Sequence, residues 1–321
     1  MKTIRRNLGY LAYLCLITTL LIFACEGVIR LSMGDRINTQ YISNGLYLNN
    51  SYAGGTAGWL PNARGSCSGA EVIINSQGLR GPELRCRQDQ ERILLLGDSV
   101  LFGMALAEEQ TLPALLRAQL DACIINTAVI GYSTADYVNV LDRWLEKEQP
   151  GRVLLFYCLN DADNGTTRVQ QAAWQDWRDY VLFHIRSRSK LYMFLKNAVS
   201  DRSKVYFLND LRYYDPQSEA FINAMHDLAT MQQRCQAQGV EFRVIILPYE
   251  FQLRYRDNKN YWQPQSLMID FMKRQRIDYL AIDFPQPSAA ALQALYLYAD
   301  GIHFSKLGHQ QIAAKIVNLL R

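Results

Sequence analysis

Ile93-Leu94-Leu95-Leu96-Gly97-Asp98-Ser99 is a short apolar run that ends abruptly in a small residue, an acid and a hydroxyl. It reads as a buried strand that delivers Ser99 to the edge of a sheet, with Gly97 letting the backbone turn. Gly97-Asp98-Ser99 taken alone is also ordinary turn chemistry. The weight of the stretch therefore rests on whether the chain supplies partners for such a serine.

Working outward, the same alternation of apolar run and amphipathic helix recurs. Thr111 and Pro113 open a helix with Leu112, Leu115, Leu116 and Leu120 on one face. A second strand is predicted over residues 123–129 and is closed by Gly131. The helix predicted over 134–148 carries Tyr137, Val140, Leu141, Trp144 and Leu145 at helical spacing, and a third strand over 153–157 leads into Asn160-Asp161. A helix over 221–237 precedes a fourth strand at 242–248, and a helix over 265–276 precedes a fifth at 279–283. A helix over 305–320, with Ile312, Ala313, Ile316 and Leu320 facing inward, ends the pattern. This repetition predicts the α/β class: a three-layer, doubly wound parallel five-stranded sheet covered by helices on both faces. The strands are apolar throughout, as strands covered on both faces should be. Ligands in such sheets bind beyond the carboxyl ends of the strands, where Ser99, Gly131 and Asn160 all fall.

A chain of 321 residues can bury a substantial core, and 49% hydrophobic with 20% charged residues is a globular composition. The formal charge of +4 comes without a long basic run, which argues against a nucleic-acid partner. Seven cysteines without CxxC pairs and only four histidines argue against a metal site. No GxGxxG follows a strand and no P-loop pattern is present, so no cofactor is expected.

Lys2, Arg5 and Arg6 precede an apolar segment over residues 8–25, long enough to cross the ~30 Å hydrocarbon layer of a bilayer. Positive residues before the span predict residues 1–7 in the cytoplasm, a transmembrane signal anchor at 8–31, and the body of the chain on the extracytoplasmic side. Phe23-Ala24-Cys25 supplies a poor cleavage site for either a signal peptide or a lipoprotein, so the uncleaved anchor is preferred. Glu26 and Arg30, four apart on one helical face, are placed to pair as the helix leaves the membrane. Residues 32–90 are expected to be irregular and to pack on the domain that follows at 91–321; Val72-Ile73-Ile74 is the main apolar run within them. An extracytoplasmic body permits disulfides, and Cys67 with Cys86 is the expected pair if one forms; Cys123, Cys158 and Cys235 read as unpaired core residues. Residues 166–222 form an insertion rich in Trp, Tyr and Arg, whose aromatics, Trp174 and Trp177 included, read as core packing before they read as sugar-stacking platforms.

A serine hydroxyl becomes a useful nucleophile only when a base takes its proton and a third group orients that base. Asp300-Gly301-Ile302-His303, in the loop before the final helix, offers such a pair: the carboxylate against one ring nitrogen, the other nitrogen free for Ser99. His309 reads as an exposed position on the last helix, and His184 and His226 have no acid–hydroxyl context. Acyl transfer also needs donors for the oxyanion of the tetrahedral intermediate. The backbone N–H groups of Ser99 and Gly131 and the side-chain amide of Asn160 sit at three successive strand ends. Each has a plain reading as a turn residue; their occurrence together with the Asp–His pair is what counts.

This pattern resembles the SGNH, or GDSL, hydrolases. Gly97-Asp98-Ser99 matches the first block of that family, Gly131 within Asn126-Thr127-Ala128-Val129-Ile130-Gly131-Tyr132-Ser133 the second, Cys158-Leu159-Asn160-Asp161 the third, and Asp300 with His303 the fifth. Cys158 departs from the usual glycine of the third block. The Asn75-Ser76-Gln77-Gly78-Leu79-Arg80-Gly81 segment and the Glu26…Arg30 exit are similar to membrane-anchored bacterial members, which implies a single-pass protein of a bacterial inner membrane with its body in the periplasm. The resemblance spans about residues 93–320 and implies a flavodoxin-like SGNH hydrolase fold. It also implies metal-free ester hydrolysis with Ser99 as nucleophile, His303 as base, Asp300 orienting the imidazole, Ser99, Gly131 and Asn160 as oxyanion donors, and Asp98 fixing the turn behind them. The implied partner is an ester-bearing substrate, such as an acylated glycan of a surface polysaccharide that loses its acetyl groups. An O-acyltransferase that passes the same acyl group to a sugar hydroxyl, and a catalytically silent membrane-tethered glycan-binding or assembly protein, are the alternatives.

Overall fold

The computed structural model describes residues 2–34, 36–39, 42–163, 173–284 and 288–321. The opening of the expected insertion, residues 166–172, lies outside them, and so does the side chain of Trp174. The chain divides into two compact units, one formed by residues 1–41 with 171–200 and one by residues 42–170 with 201–321.

In the first unit, α1 (Lys2–Met33) is a single helix whose stretch Arg6–Met33 is long and apolar enough to cross a membrane. The sequence explains its continuity, since no proline interrupts it and residues 8–25 carry no charge.

The second unit begins with two antiparallel hairpins, β1 (Tyr47–Ala53) with β2 (Thr56–Trp59) and β3 (Arg64–Cys67) with β4 (Ala70–Ile73). The expectation of an irregular segment is corrected here. Gly54 and Gly55, at φ 54° and 89°, and Ser68 and Gly69, at φ 50° and 94°, turn the two hairpins. Two consecutive positive φ values are what a tight type I′ hairpin turn requires. Trp59 anchors the first hairpin by donating from Nε1 to Ala128 O at 2.9 Å.

The central sheet follows: β5 (Glu91–Gly97), β6 (Ala122–Asn126), β7 (Arg152–Tyr157), β8 (Glu241–Ile246) and β9 (Asp278–Ala281), all parallel, in the order β6-β5-β7-β8-β9. The intervening helices are α2 (Ser99–Phe102), α3 (Leu112–Gln119), α4 (Thr134–Glu148), α5 (Ala173–Arg188), α6 (Lys190–Val199), α7 (Arg202–Leu211), α8 (Glu219–Ala237), α9 (Glu250–Arg254), α10 (Gln263–Gln275), α11 (Ala289–Ala294) and α12 (Lys306–Leu320); α5 and α6 belong to the first unit. Helices α4, α8 and α10 pack side by side, and α3 packs with α12. This is the expected doubly wound arrangement, in which right-handed crossovers to either side of β5 place helices on opposite faces. Leu94, Leu95, Val153, Leu154, Leu155, Val244 and Ile245 have no exposed surface. The strand order reverses at β5, so the crevice between the carboxyl ends of β5 and β7 is the topological switch point.

The disulfide joins Cys86 to Cys123, not to Cys67, which is buried and free. The correction is a matter of long-range placement: Cys123 lies in β6 beside the chain entering β5, whereas Cys67 sits inside the second hairpin.

Candidate active site

Ser99 begins α2 directly after β5, and Asp98 caps that helix by accepting from Val100 N at 2.8 Å. The strand therefore ends in a side-chain cap, which fixes the first helical turn and the hydroxyl on it. Gly97 has to be small: a Cβ there would lie 2.7 Å from the Leu101 side chain. The Ser99 hydroxyl lies 2.9 Å from His303 Nε2 and 3.1 Å from Asp98 Oδ2, so its single proton has two acceptors within reach, the carboxylate and the neutral imidazole.

His303 and Asp300 come from the loop between α11 and α12. Asp300 Oδ1 lies 2.8 Å from His303 Nδ1 and accepts from the backbone N–H groups of Ile302 and His303 at 3.1 and 2.8 Å. The loop is cross-braced, with Leu297 N donating to His303 O at 2.8 Å and Glu250 N to Gly301 O at 2.9 Å. Burial alone would raise the Asp300 carboxyl, but the imidazole beside it, its hydrogen bonds and Arg202 hold it well below the usual carboxylate range. Burial pulls His303 down, but the charge and hydrogen bond of Asp300, helped by Asp98, outweigh it and leave the imidazole above its ordinary value. A carboxylate on Nδ1 fixes the tautomer, leaving Nε2 to accept from Ser99.

Gly131 stands in the turn after β6 with φ 88°, a conformation that favours glycine. Asn160 stands in a 3-10 turn after β7, on the other side of β5. Among the described residues, neither the Ser99 N–H nor the Gly131 N–H has a protein acceptor. Asn160 donates from Nδ2 to Asp98 Oδ2 at 2.9 Å, and its Oδ1 lies 3.1 Å from Tyr249 OH. Cys158, the departure from the expected glycine, has φ −108° and ψ 159°, extended backbone open to any residue, and burial raises its thiol well above the usual range.

Sequence reasoning did not single out three residues that close on this site. Tyr249 donates to Asp210 Oδ2 at 2.6 Å, behind Asn160. Burial pushes the Asp210 carboxyl up to about 6, against the pull of that hydrogen bond. Arg202, at the start of α7, brings Nη2 to 3.8 Å from Asp300 Oδ2. Tyr249 had a weak signal, because it follows Pro248 just past the end of a strand on the side where ligands bind. Arg202 and Asp210 had none. His309 is corrected as well: it is buried and accepts a 2.8 Å hydrogen bond from Leu112 N on Nδ1, and burial lowers it to about 3, a neutral structural histidine.

The model of the GDSL-like lipase/acylhydrolase family matches residues 95–311, about two thirds of the chain. The chain belongs to that family. This GDSL-like hydrolase acts on ester bonds and matches no curated protein in sequence. Its solved structural neighbours include a lipase/acylhydrolase from Enterococcus faecalis, at 16% identity and a TM-score of 0.43, covering 72% of this chain and 95% of that one. They also include a G-D-S-L lipolytic protein from Desulfitobacterium hafniense, at 14% identity and 0.44, covering 71% and 99%. A third is the psychrotrophic esterase EstA of a Pseudoalteromonas species, described with monoethylphosphonate as inhibitor, at 16% and 0.43, covering 71% and 96%.

Proposed function

We propose that the GDSL-like hydrolase is a membrane-anchored extracytoplasmic serine esterase that removes acetyl groups from a surface polysaccharide. Ser99 Oγ attacks the ester carbonyl while His303 Nε2 takes its proton, and Asp300 holds the imidazole and stabilises the imidazolium. The Ser99 and Gly131 N–H groups and the second N–H of Asn160 Nδ2 receive the oxyanion. His303 then gives the proton to the departing alcohol, and a water activated by the same imidazole releases the acid and restores Ser99. The observation that carries this reading is the unbroken row Asp300–His303–Ser99, at 2.8 and 2.9 Å, on the crevice side of β5. The apolar length of α1 supports the anchor, and the positive residues ahead of it support the outward orientation.

Full-length protein in detergent should hydrolyse a short-chain aryl acetate, and Ser99→Ala should lower kcat by at least ~10³. A fluorophosphonate probe should label Ser99, and His303→Ala should abolish the label. Full activity in Ser99→Ala would overturn the assignment. Acylated glycan appearing in place of free acid when a glycan acceptor is added would replace hydrolysis by acyl transfer.

A further inference from the structure

We propose that α5 and α6 form a second membrane contact, lying in the headgroup region of the bilayer that α1 crosses; this rests on the anchor reading of α1. The first observation is how the three helices are tied together. The Glu26 carboxylate of α1 accepts from Ser189 Oγ at 2.8 Å, Lys190 N at 3.0 Å and Leu191 N at 2.9 Å. It thereby satisfies the open donors at the start of α6. Arg30, one helical turn on, donates to Glu26 at 2.7 Å and to Arg188 O, the last carbonyl of α5, at 2.5 Å. Lys190 Nζ donates to Gly34 O. One ion pair on α1 thus pins the end of α5 and the beginning of α6 at their shared corner.

The position of that pair sets the depth. Glu26 is the first charged residue after the apolar residues 8–25, which at ~1.5 Å per residue span about 27 Å, close to the ~30 Å thickness of the hydrocarbon layer. The α5–α6 corner is therefore held at the outer boundary of that layer.

The second observation is what the two helices present. The expectation that the insertion's aromatics are core residues is corrected at Trp177, 70% exposed, and at Tyr180, 64% exposed, one turn further along α5. Phe183 on α5 and Leu195 and Val199 on α6 are exposed too. Scattered exposed apolar residues are ordinary in a soluble protein. These lie at helical spacings on two helices pinned at a membrane boundary, and Trp and Tyr are the residues that favour that boundary. Arg178, Arg186, Arg188, Lys190 and Lys196 outnumber Asp176 and Asp179 along the same helices, matching a surface of lipid phosphates.

The test uses the full-length protein reconstituted in phosphatidylethanolamine–phosphatidylglycerol vesicles. The vesicles carry a phospholipid with a diazirine either near the glycerol (shallow) or at the acyl-chain end (deep). After irradiation, labelled peptides are mapped. Peptides of α1 should label with both probes, and peptides holding Trp177, Tyr180 and Leu195 should label several-fold above those of α12 with the shallow probe only. The double variant Trp177→Gln, Tyr180→Gln should lose most of that shallow labelling while its turnover of a soluble aryl ester in detergent stays unchanged. Labelling of α1 without α5 and α6 would overturn the proposal and leave the anchor standing, which is also the result if these faces receive a glycan or a second copy of the chain. Labelling of neither would fail the anchor and the proposal with it. Deep-probe labelling of α5 and α6 would overturn their placement among the headgroups.

Discussion

Replacing Arg80 by methionine removes a buried cation from beneath the helix that carries Ser99. Its side chain is 1% exposed. Nη1 donates to Phe102 O at 2.7 Å and Gly103 O at 2.9 Å, and Nη2 to Leu106 O at 2.5 Å. Nε lies 3.3 Å from Glu108 Oε2, and the guanidinium sits 4.5 Å from the Phe102 ring. Methionine keeps much of the volume but takes the guanidinium donors from the Phe102 and Leu106 carbonyls, while Gly103 O keeps Leu106 N and Glu108 keeps Arg117. Removing one partner of such a buried network costs about 3–5 kcal/mol, and for a unit of this size each kcal/mol moves Tm by roughly 2–4 °C. The expected drop is therefore about 10 °C for the full-length protein in detergent, read by scanning calorimetry. Lysine keeps the charge, but its single ammonium cannot span acceptors spread from Phe102 to Leu106, so Arg80→Lys should recover less than half of the loss. Because α2 is a single turn with Ser99 at its start, turnover of an aryl ester well below Tm should also fall, by roughly tenfold if positioning is worth ~1.4 kcal/mol. A Tm within about 2 °C of the parent for Arg80→Met, or equal losses for Met and Lys, would refute the reasoning.

Two further outcomes follow from groups that close on the site. Arg202→Gln removes a cation that opposes protonation of His303; since the base must be neutral, the acid limb of kcat/KM should move to higher pH with the alkaline plateau unchanged, and an unmoved limb would refute the role. The groups facing His303 that remain in that variant are Asp300, Asp98 and Ser99. Asp210 is raised to about 6 from an ordinary 3.8, chiefly by burial, so its contribution to stability is complete below pH ~4 and is lost as pH rises through ~6. Asp210→Asn should abolish that loss and gain about 2–3 kcal/mol relative to the parent at pH 8 over pH 4, measured by urea unfolding at the two pH values; equal pH dependence in both proteins would exclude it.

What could be read from the sequence was local. Apolar runs such as Leu94-Leu95-Leu96 and Val153-Leu154-Leu155 declare buried parallel strands, and the strand ends announce themselves through Gly97-Asp98-Ser99 and Asn160-Asp161. Asp300 and His303 are three residues apart, so their contact needs only a turn. The hairpins were hidden because β1 carries Asn49-Asn50-Ser51 at its centre and β3 is polar and contains Gly65, although Gly54-Gly55 and Ser68-Gly69 were usable turn signals. His309 stands three residues before Ile312 and four before Ala313, so the helical period itself placed it on the inward face. Its polar identity masked a hydrogen bond that only the packing of α12 on α3 creates. Arg202, Asp210 and the Cys86–Cys123 link depend on elements far apart in the chain, and no local pattern reports such meetings.

The site also explains how a buried carboxylate beside the serine is tolerated. Asp98 has no exposed surface, and it accepts from Val100 N and Asn160 Nδ2 while lying 3.1 Å from Ser99 Oγ. Two donors in hand replace much of the lost hydration. Its charge, with that of Asp300, favours protonated His303, and Arg202 opposes both. For the proposed role of His303 as base, two acids without a counter-charge would favour the protonated imidazole at rest, and the arginine tempers that bias. The same carboxylate fixes Asn160 at one end of its amide, and Tyr249 contacts the other. With one Nδ2 proton committed to Asp98, a flip would turn Oδ1 onto that carboxylate, so the amide keeps its orientation and its remaining N–H is the one available for the proposed oxyanion role.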